Sequence, residues 1–190
     1  MKNGILALGA MLLLGVNTQA NASTTVCVFD LLGKSGEAYK VMEEWALTAK
    51  TWRADVRLVS YQSEAQAEND FEQGKCDGVY MTSMRARRYN KFAGSVDAIG
   101  AVPSYAIAQK AISFALDQRN QRRLTSTVGH QVYEVVGISQ IGLAYIFVKD
   151  KKMNTIEQIK GKKFAVLAYD EAQKIVVKSL GGQAVLSDIS

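Results

Sequence analysis

The chain of 190 residues holds one proline, one histidine and two cysteines, and each scarcity closes off a class of protein. His130 stands without any Cys/His spacing of ligand type, so no zinc site is expected. No Gly-x-Ser-x-Gly elbow occurs, and His130 has no evident Ser or Cys partner for nucleophilic catalysis. The acidic pairs Glu43-Glu44 and Asp170-Glu171 are adjacent in sequence, and adjacent helical residues point to different faces, so neither forms an acid/base dyad. Gly33-Lys34-Ser35 is placed like a phosphate-binding loop, but the glycine needed five positions earlier is Val28. These absences together point away from an enzyme and name no cofactor.

Long apolar runs are missing as well. The longest, Ile5 to Val16, is 12 residues, which as a helix covers roughly 18 Å against a hydrocarbon core of roughly 30 Å. It follows Lys2 and precedes Ala20-Asn21-Ala22, the small-x-small pattern read by signal peptidase. The expectation is a cleavable signal peptide over 1–22, cleavage after Ala22 and a mature protein in the periplasm. A lipid anchor would require cysteine directly after that point, and Cys27 lies further on.

Without residues 1–22 the chain has 22 basic and 18 acidic side chains, a net charge of +4. The basic residues are interleaved with acidic ones, which argues against a nucleic-acid partner. Hydrophobic content of 48% is enough for a core, and no Pro/Ser-rich tract suggests disorder. Cys27 and Cys76 in an exported chain point to a disulfide, which in the chain-entropy model stabilises by roughly 4 kcal/mol. The alternative is that both are small core hydrophobes.

Local patterning alternates strand and helix. Thr25–Leu32 reads as a buried strand running through Gly33 and Gly36 into a helix containing Ala38, Val41, Met42, Trp45 and Ala46. Val56–Tyr61 is a second strand, Ser63 caps a helix ending at Gly74, and Asp77–Thr82 is a third strand followed by the basic helical stretch Met84–Phe92. This order implies a parallel sheet. Ala106–Arg123 reads as one long helix and Gln131–Val148 as a β-prone stretch broken by Gly137 and Gly142. The rhythm then restarts: a short helix Thr155–Ile159, a strand Lys163–Leu167, a helix Glu171–Leu180 and a strand Gln183–Leu186. Two strands alone would leave an apolar edge and face uncovered.

In an open α/β sheet a ligand crevice lies beyond the carboxyl ends of the strands. The residues there are Asp30 and Ser35 after the first strand, Tyr61 after the second, Thr82, Ser83 and Arg85 after the third, and Tyr169 from the second α/β unit. Their hydroxyls and aromatic faces suit a small polar solute. Arg85, nearest its strand end, is the candidate to clamp a carboxylate with two parallel hydrogen bonds. Arg87, Arg88 and Lys91 read as a solvated helix face.

Three segments carry a family resemblance: Val26-Cys27-Val28-Phe29-Asp30, Asp70-Phe71-Glu72-Gln73-Gly74-Lys75-Cys76-Asp77-Gly78, and Thr155-Ile156-Glu157-Gln158-Ile159-Lys160-Gly161-Lys162-Lys163-Phe164-Ala165-Val166. With them the chain resembles extracytoplasmic solute-binding proteins of the two-lobed type II class, in the group related to receptors of tripartite (TRAP-type) transporters. The resemblance implies a periplasmic-binding-protein fold: a first α/β lobe over 23–135, interlobe crossover strands over 136–150, and a second α/β lobe begun at 151–190 and incomplete, as in a C-terminally truncated receptor. It implies a small-molecule solute, delivery to a membrane transporter subunit, and a monomer. Receptors of this kind often carry a carboxylate-binding arginine in the second-lobe strand; Phe164-Ala165-Val166-Leu167 has none. A competing expectation is a non-transporting periplasmic protein that modulates an export system or sensor, with the basic helix around Arg87 as its contact surface.

Overall fold

The computed structural model describes residues 23–98, 100–142 and 145–189. The expected signal peptide and its cleavage site lie outside the described residues. Among the described residues no helix is long and apolar enough to cross a membrane.

Three strands, β1 (Thr24–Phe29), β2 (Val56–Tyr61) and β3 (Gly78–Tyr80), form a parallel sheet in the order β2-β1-β3. Val26 of β1 pairs with Leu58 on one side and Gly78 on the other. From Thr25 on the central strand is buried on both faces, which is why Val26–Phe29 is continuously apolar instead of alternating. Val26 and Val28 pack with Tyr39 and Met42 of helix α1 (Glu37–Thr51). Cys27 and Phe29 pack on the opposite face with Ala67 of helix α2 (Glu64–Glu72) and with Cys76. Cys27 and Cys76 form the expected disulfide, with their Cα atoms 5.8 Å apart, and it lies inside that second layer.

Side-chain caps set the turns. Ser63 Oγ accepts from Gln66 N and starts α2. Gly74, at φ +72°, adopts the left-handed conformation that lets the chain leave α2 and turn towards β3. The Asp77 carboxylate accepts from Thr25 N at 2.7 Å, tying the start of β3 to the start of β1. At the other end of β1, the Asp30 carboxylate accepts from Leu32 N at 2.9 Å and from Tyr39 N at 3.2 Å, fixing the turn that carries β1 into α1.

Several sequence expectations are corrected by the middle of the chain. The stretch expected to be helical from Met84 to Phe92 is only one turn of helix, α3 (Ser83–Ala86), followed by turns, because Arg87, Tyr89 and Asn90 are drawn into tertiary bonds. The expected long helix is split into α4 (Tyr105–Ala115) and a short α5 (Gln121–Leu124), joined by a 3-10 turn at Gln118–Asn120. Asp117 breaks it: its side chain caps that turn and its backbone is extended. Of the β-prone stretch only Gln131–Glu134 becomes a strand, β5, paired in a hairpin with β4 (Thr125–Val128) that turns at Gly129; among the described residues 136–150 holds no strand, so the expected crossover strands are not seen there.

The second α/β unit matches its reading closely. Ile156–Ile159 is a 3-10 turn with a capping box from Thr155 and Gln158. Strand β6 (Lys163–Leu167), helix α6 (Glu171–Ser179) and strand β7 (Gln183–Ser187) form a two-stranded parallel sheet with one covering helix. Val185 and Leu186 are exposed, and so are Tyr145, Ile146 and Phe147 of the connecting stretch.

Candidate functional site

At the carboxyl end of β3 the chain builds a buried polar knot around Glu64. Glu64 is the first residue of α2 and its side chain is wholly withdrawn from water. One carboxylate oxygen, Oε1, accepts from the backbone N–H of Thr82 at 2.7 Å. The other, Oε2, accepts from Arg85 Nε at 3.0 Å and from the Tyr169 hydroxyl at 2.9 Å. One helical turn further along α2, Glu68 Oε2 accepts from Arg85 Nη1 at 2.6 Å. The guanidinium is sandwiched beneath the Tyr169 ring, 3.8 Å from its centroid.

Electrostatics follow from that geometry. Burial pushes the Arg85 guanidinium down, but the hydrogen bonds and charges of Glu68 and Glu64 outweigh burial and hold its pKa above the ordinary arginine value. Burial, reinforced by the Glu64 charge and hydrogen bond, raises the Tyr169 phenol well above its usual range; the Arg85 charge and a hydrogen bond from Thr82 oppose this. Tyr89 is raised for similar reasons, by burial first and then by its bonds to Glu72 and Glu68.

A second cluster adjoins the first. Arg87 Nη1 donates to Asp170 Oδ1 at 3.1 Å, and its Nη2 lies 3.7 Å from Asp97 Oδ2. Asp170 also caps α6, accepting from Ala172 N and Gln173 N. Burial raises the Asp97 carboxyl, opposed by its bond with Ser83 and by Arg87, and reinforced by Asp170. Arg88 pairs with Glu72 at 2.7 Å and with Glu68 at 3.3 Å. Of the arginines read from sequence as a solvated face, Arg87 is drawn inward into ion pairs, while Arg88 stays exposed and pairs with Glu72 and Glu68 at the surface.

Of the sequence-named residues, Thr82, Arg85 and Tyr169 meet at Glu64, and Ser83 joins the neighbouring Asp97 cluster. Asp30 does not meet them, its carboxylate being spent on the β1–α1 turn. Tyr61 turns towards α2, where its hydroxyl donates to Asp70 Oδ2 at 2.8 Å. Ser35 is exposed on the turn. The residues that sequence reading passed over are Glu64 and Glu68. Their signal was present: they stand at i and i+4 on the face of α2 that also carries Ala67, and two acids on a core-facing stripe require a buried cation.

Among the described residues no group of His, Cys, Asp and Glu is disposed to hold a metal ion.

A family model described as solute-binding protein AdeT 1/2 matches residues 42–190. The chain is similar to the probable solute-binding protein AdeT1 of Acinetobacter baumannii, 40% identical over 163 residues covering 86% of this chain and 52% of that protein. It is also similar to the probable solute-binding protein AdeT2 of the same organism, 31% identical over 97 residues, 51% of this chain and 39% of that one. The chain spans about half the length, or less, of the curated relatives it matches.

Proposed function

Because the chain belongs to the solute-binding protein AdeT 1/2 family, we propose that it is the solute-gripping part of a periplasmic two-lobed receptor of the type II class. The solute lies beyond the carboxyl ends of β1–β3, facing the β6–α6 turn, and is passed to a membrane transporter of the tripartite kind. The observation that carries this reading is the meeting of Thr82 and Arg85 from the first unit with Tyr169 from the second at the buried Glu64 carboxylate. Residues 105 positions apart, Glu64 and Tyr169, are thus joined across the two α/β units.

In this reading the units at 23–135 and 151–190 are the two sides of the crevice, and 136–150 is the crossover between them. Exposed apolar side chains at Tyr145, Ile146, Phe147 and Leu186 support a further polypeptide surface covering this half in the working receptor. Export by a signal peptide cleaved after Ala22 places the receptor in the periplasm, where it acts as a monomer without catalysing a reaction.

The test is thermal unfolding of the protein purified from the periplasm, against a broad panel of small solutes. A receptor shows a rise in melting temperature that grows with the concentration of one solute class. A flat response throughout the panel sinks the reading. Intact mass of the same sample checks cleavage: a chain beginning at Ser23 is expected.

A further inference from the structure

Arg85 is buried with its face against the Tyr169 ring, and its edge is largely committed. Nε is held by Glu64 and Nη1 by Glu68, so the two parallel donors that a carboxylate clamp requires are not both available. Only Nη2 remains, with the Asp188 carboxylate 3.9 Å away. What lies on the guanidinium face is a flat ring, Tyr169, and what closes the far end of that ring is an acceptor, Glu64 Oε2. The ring is not part of the first unit. It comes from the β6–α6 turn, and the other links between the units are mostly polar: Arg87 to Asp170, and Gln173 to the Met84 sulfur, with Ile189 packed beside the Cys27 layer. A junction of this composition parts more easily than an apolar one.

Building on the receptor reading above, we propose that Tyr169 is a built-in occupant of the crevice, a latch standing where the solute's ring goes, and that the solute is a planar ring bearing a hydroxyl or amino donor on its rim. When the units part, the guanidinium face is bared and Glu64 Oε2 loses one donor inside a poorly hydrated site. A solute ring restores the stack, and its donor restores the hydrogen bond. A carboxylate or an aliphatic chain restores neither. The latch also sets affinity: the solute competes with Tyr169, so its apparent Kd is the intrinsic one divided by the fraction of molecules standing open.

The experiment vacates the place and refills it. In the full chain carrying Tyr169→Ala, 4-methylphenol is expected to raise the melting temperature in proportion to its concentration. Toluene, which has the ring without the donor, is expected to bind at least about tenfold more weakly, the consequence of forgoing a hydrogen bond to a charged group. Equal responses to the two probes, or none to 4-methylphenol, overturn the proposal. If Tyr169→Ala does not fold, wild-type protein labelled with 3-fluorotyrosine supplies the answer. Titration with 4-methylphenol should then move the Tyr169 fluorine signal towards that of an exposed tyrosine, and a signal unmoved at saturation overturns the latch. These readouts need no natural solute, so they stand apart from the solute panel. A panel that finds only ringless ligands overturns the solute class while leaving the receptor reading in place.

Discussion

Arg85 Nε donates to Glu64 Oε2 at 3.0 Å, and both side chains are shielded from water. Two charges taken out of water hold each other only as a pair, since either alone keeps the full desolvation cost. Arg85→Met, which leaves Glu64 and Glu68 buried without their cation, is expected to cost about 3–5 kcal/mol in urea unfolding. Arg85→Lys should recover only part, because a compact ammonium cannot reach two carboxylates in the fork geometry of guanidinium. If Arg85→Met and wild type unfold at the same urea concentration, the knot contributes nothing to stability.

The Cys27–Cys76 bridge ties β1 to the start of β3 over a sequence separation of 49 residues. Its loss, by Cys27→Ala with Cys76→Ala, is expected to lower stability by about 4 kcal/mol through the looser unfolded chain. Reduction of the wild type should reproduce that change, while the double variant should not respond to reductant.

The turn at Gly36 is tighter than its φ suggests. A Cβ there would stand 1.8 Å from Asp30 Oδ1, and that carboxylate cannot swing aside without releasing Leu32 N and Tyr39 N. Gly36→Ala is therefore expected to cost about 2–3 kcal/mol, the range for forfeited hydrogen bonds to a charged group. Gly74→Ala meets no atom within 4 Å but sits at φ +72°, so it should cost only about 1 kcal/mol, from backbone strain alone. Denaturant midpoints for the two variants, read side by side, decide the ranking.

Asp97 provides a pH test. Burial raises its carboxyl above the ordinary value, so between the unfolded and the folded pKa the native state binds more protons than the unfolded one. Stability contributed by this group accordingly falls as pH rises through that window, and the penalty is fully present once the pH exceeds the folded pKa. Asp97→Asn is expected to raise the melting temperature at neutral pH, with the gain shrinking as pH drops into the usual carboxylate range. A gain that does not change with pH would rule out titration of Asp97 as its source.

The sequence by itself determined the α/β order, because each signal for it is local. Continuous apolar β-branched residues made β1 recognisable, Ser63 with its N-cap chemistry located α2, and the glycine at 74 marked the helix exit. The disulfide was legible from two cysteines downstream of an expected signal peptide. Local signals failed where long-range bonds prevailed over helix propensity: Asn90 reaches the Arg123 carbonyl and Tyr89 reaches Glu68, so the basic stretch after Ala86 turns instead of continuing. Only the tertiary structure decided the site. Sequence reading placed Thr82, Arg85 and Tyr169 near one crevice because strand ends converge in any parallel α/β sheet. It could not show that Arg85's donors were already taken: the spacing of Glu64 and Glu68 beside Ala67 signals a buried acidic pair, but that Arg85, 21 and 17 positions away, is the cation answering it is a long-range contact. Burial turns those acids into obligatory partners: with water excluded, a carboxylate must find its donors within the protein, and here it finds them in Thr82, Arg85 and Tyr169.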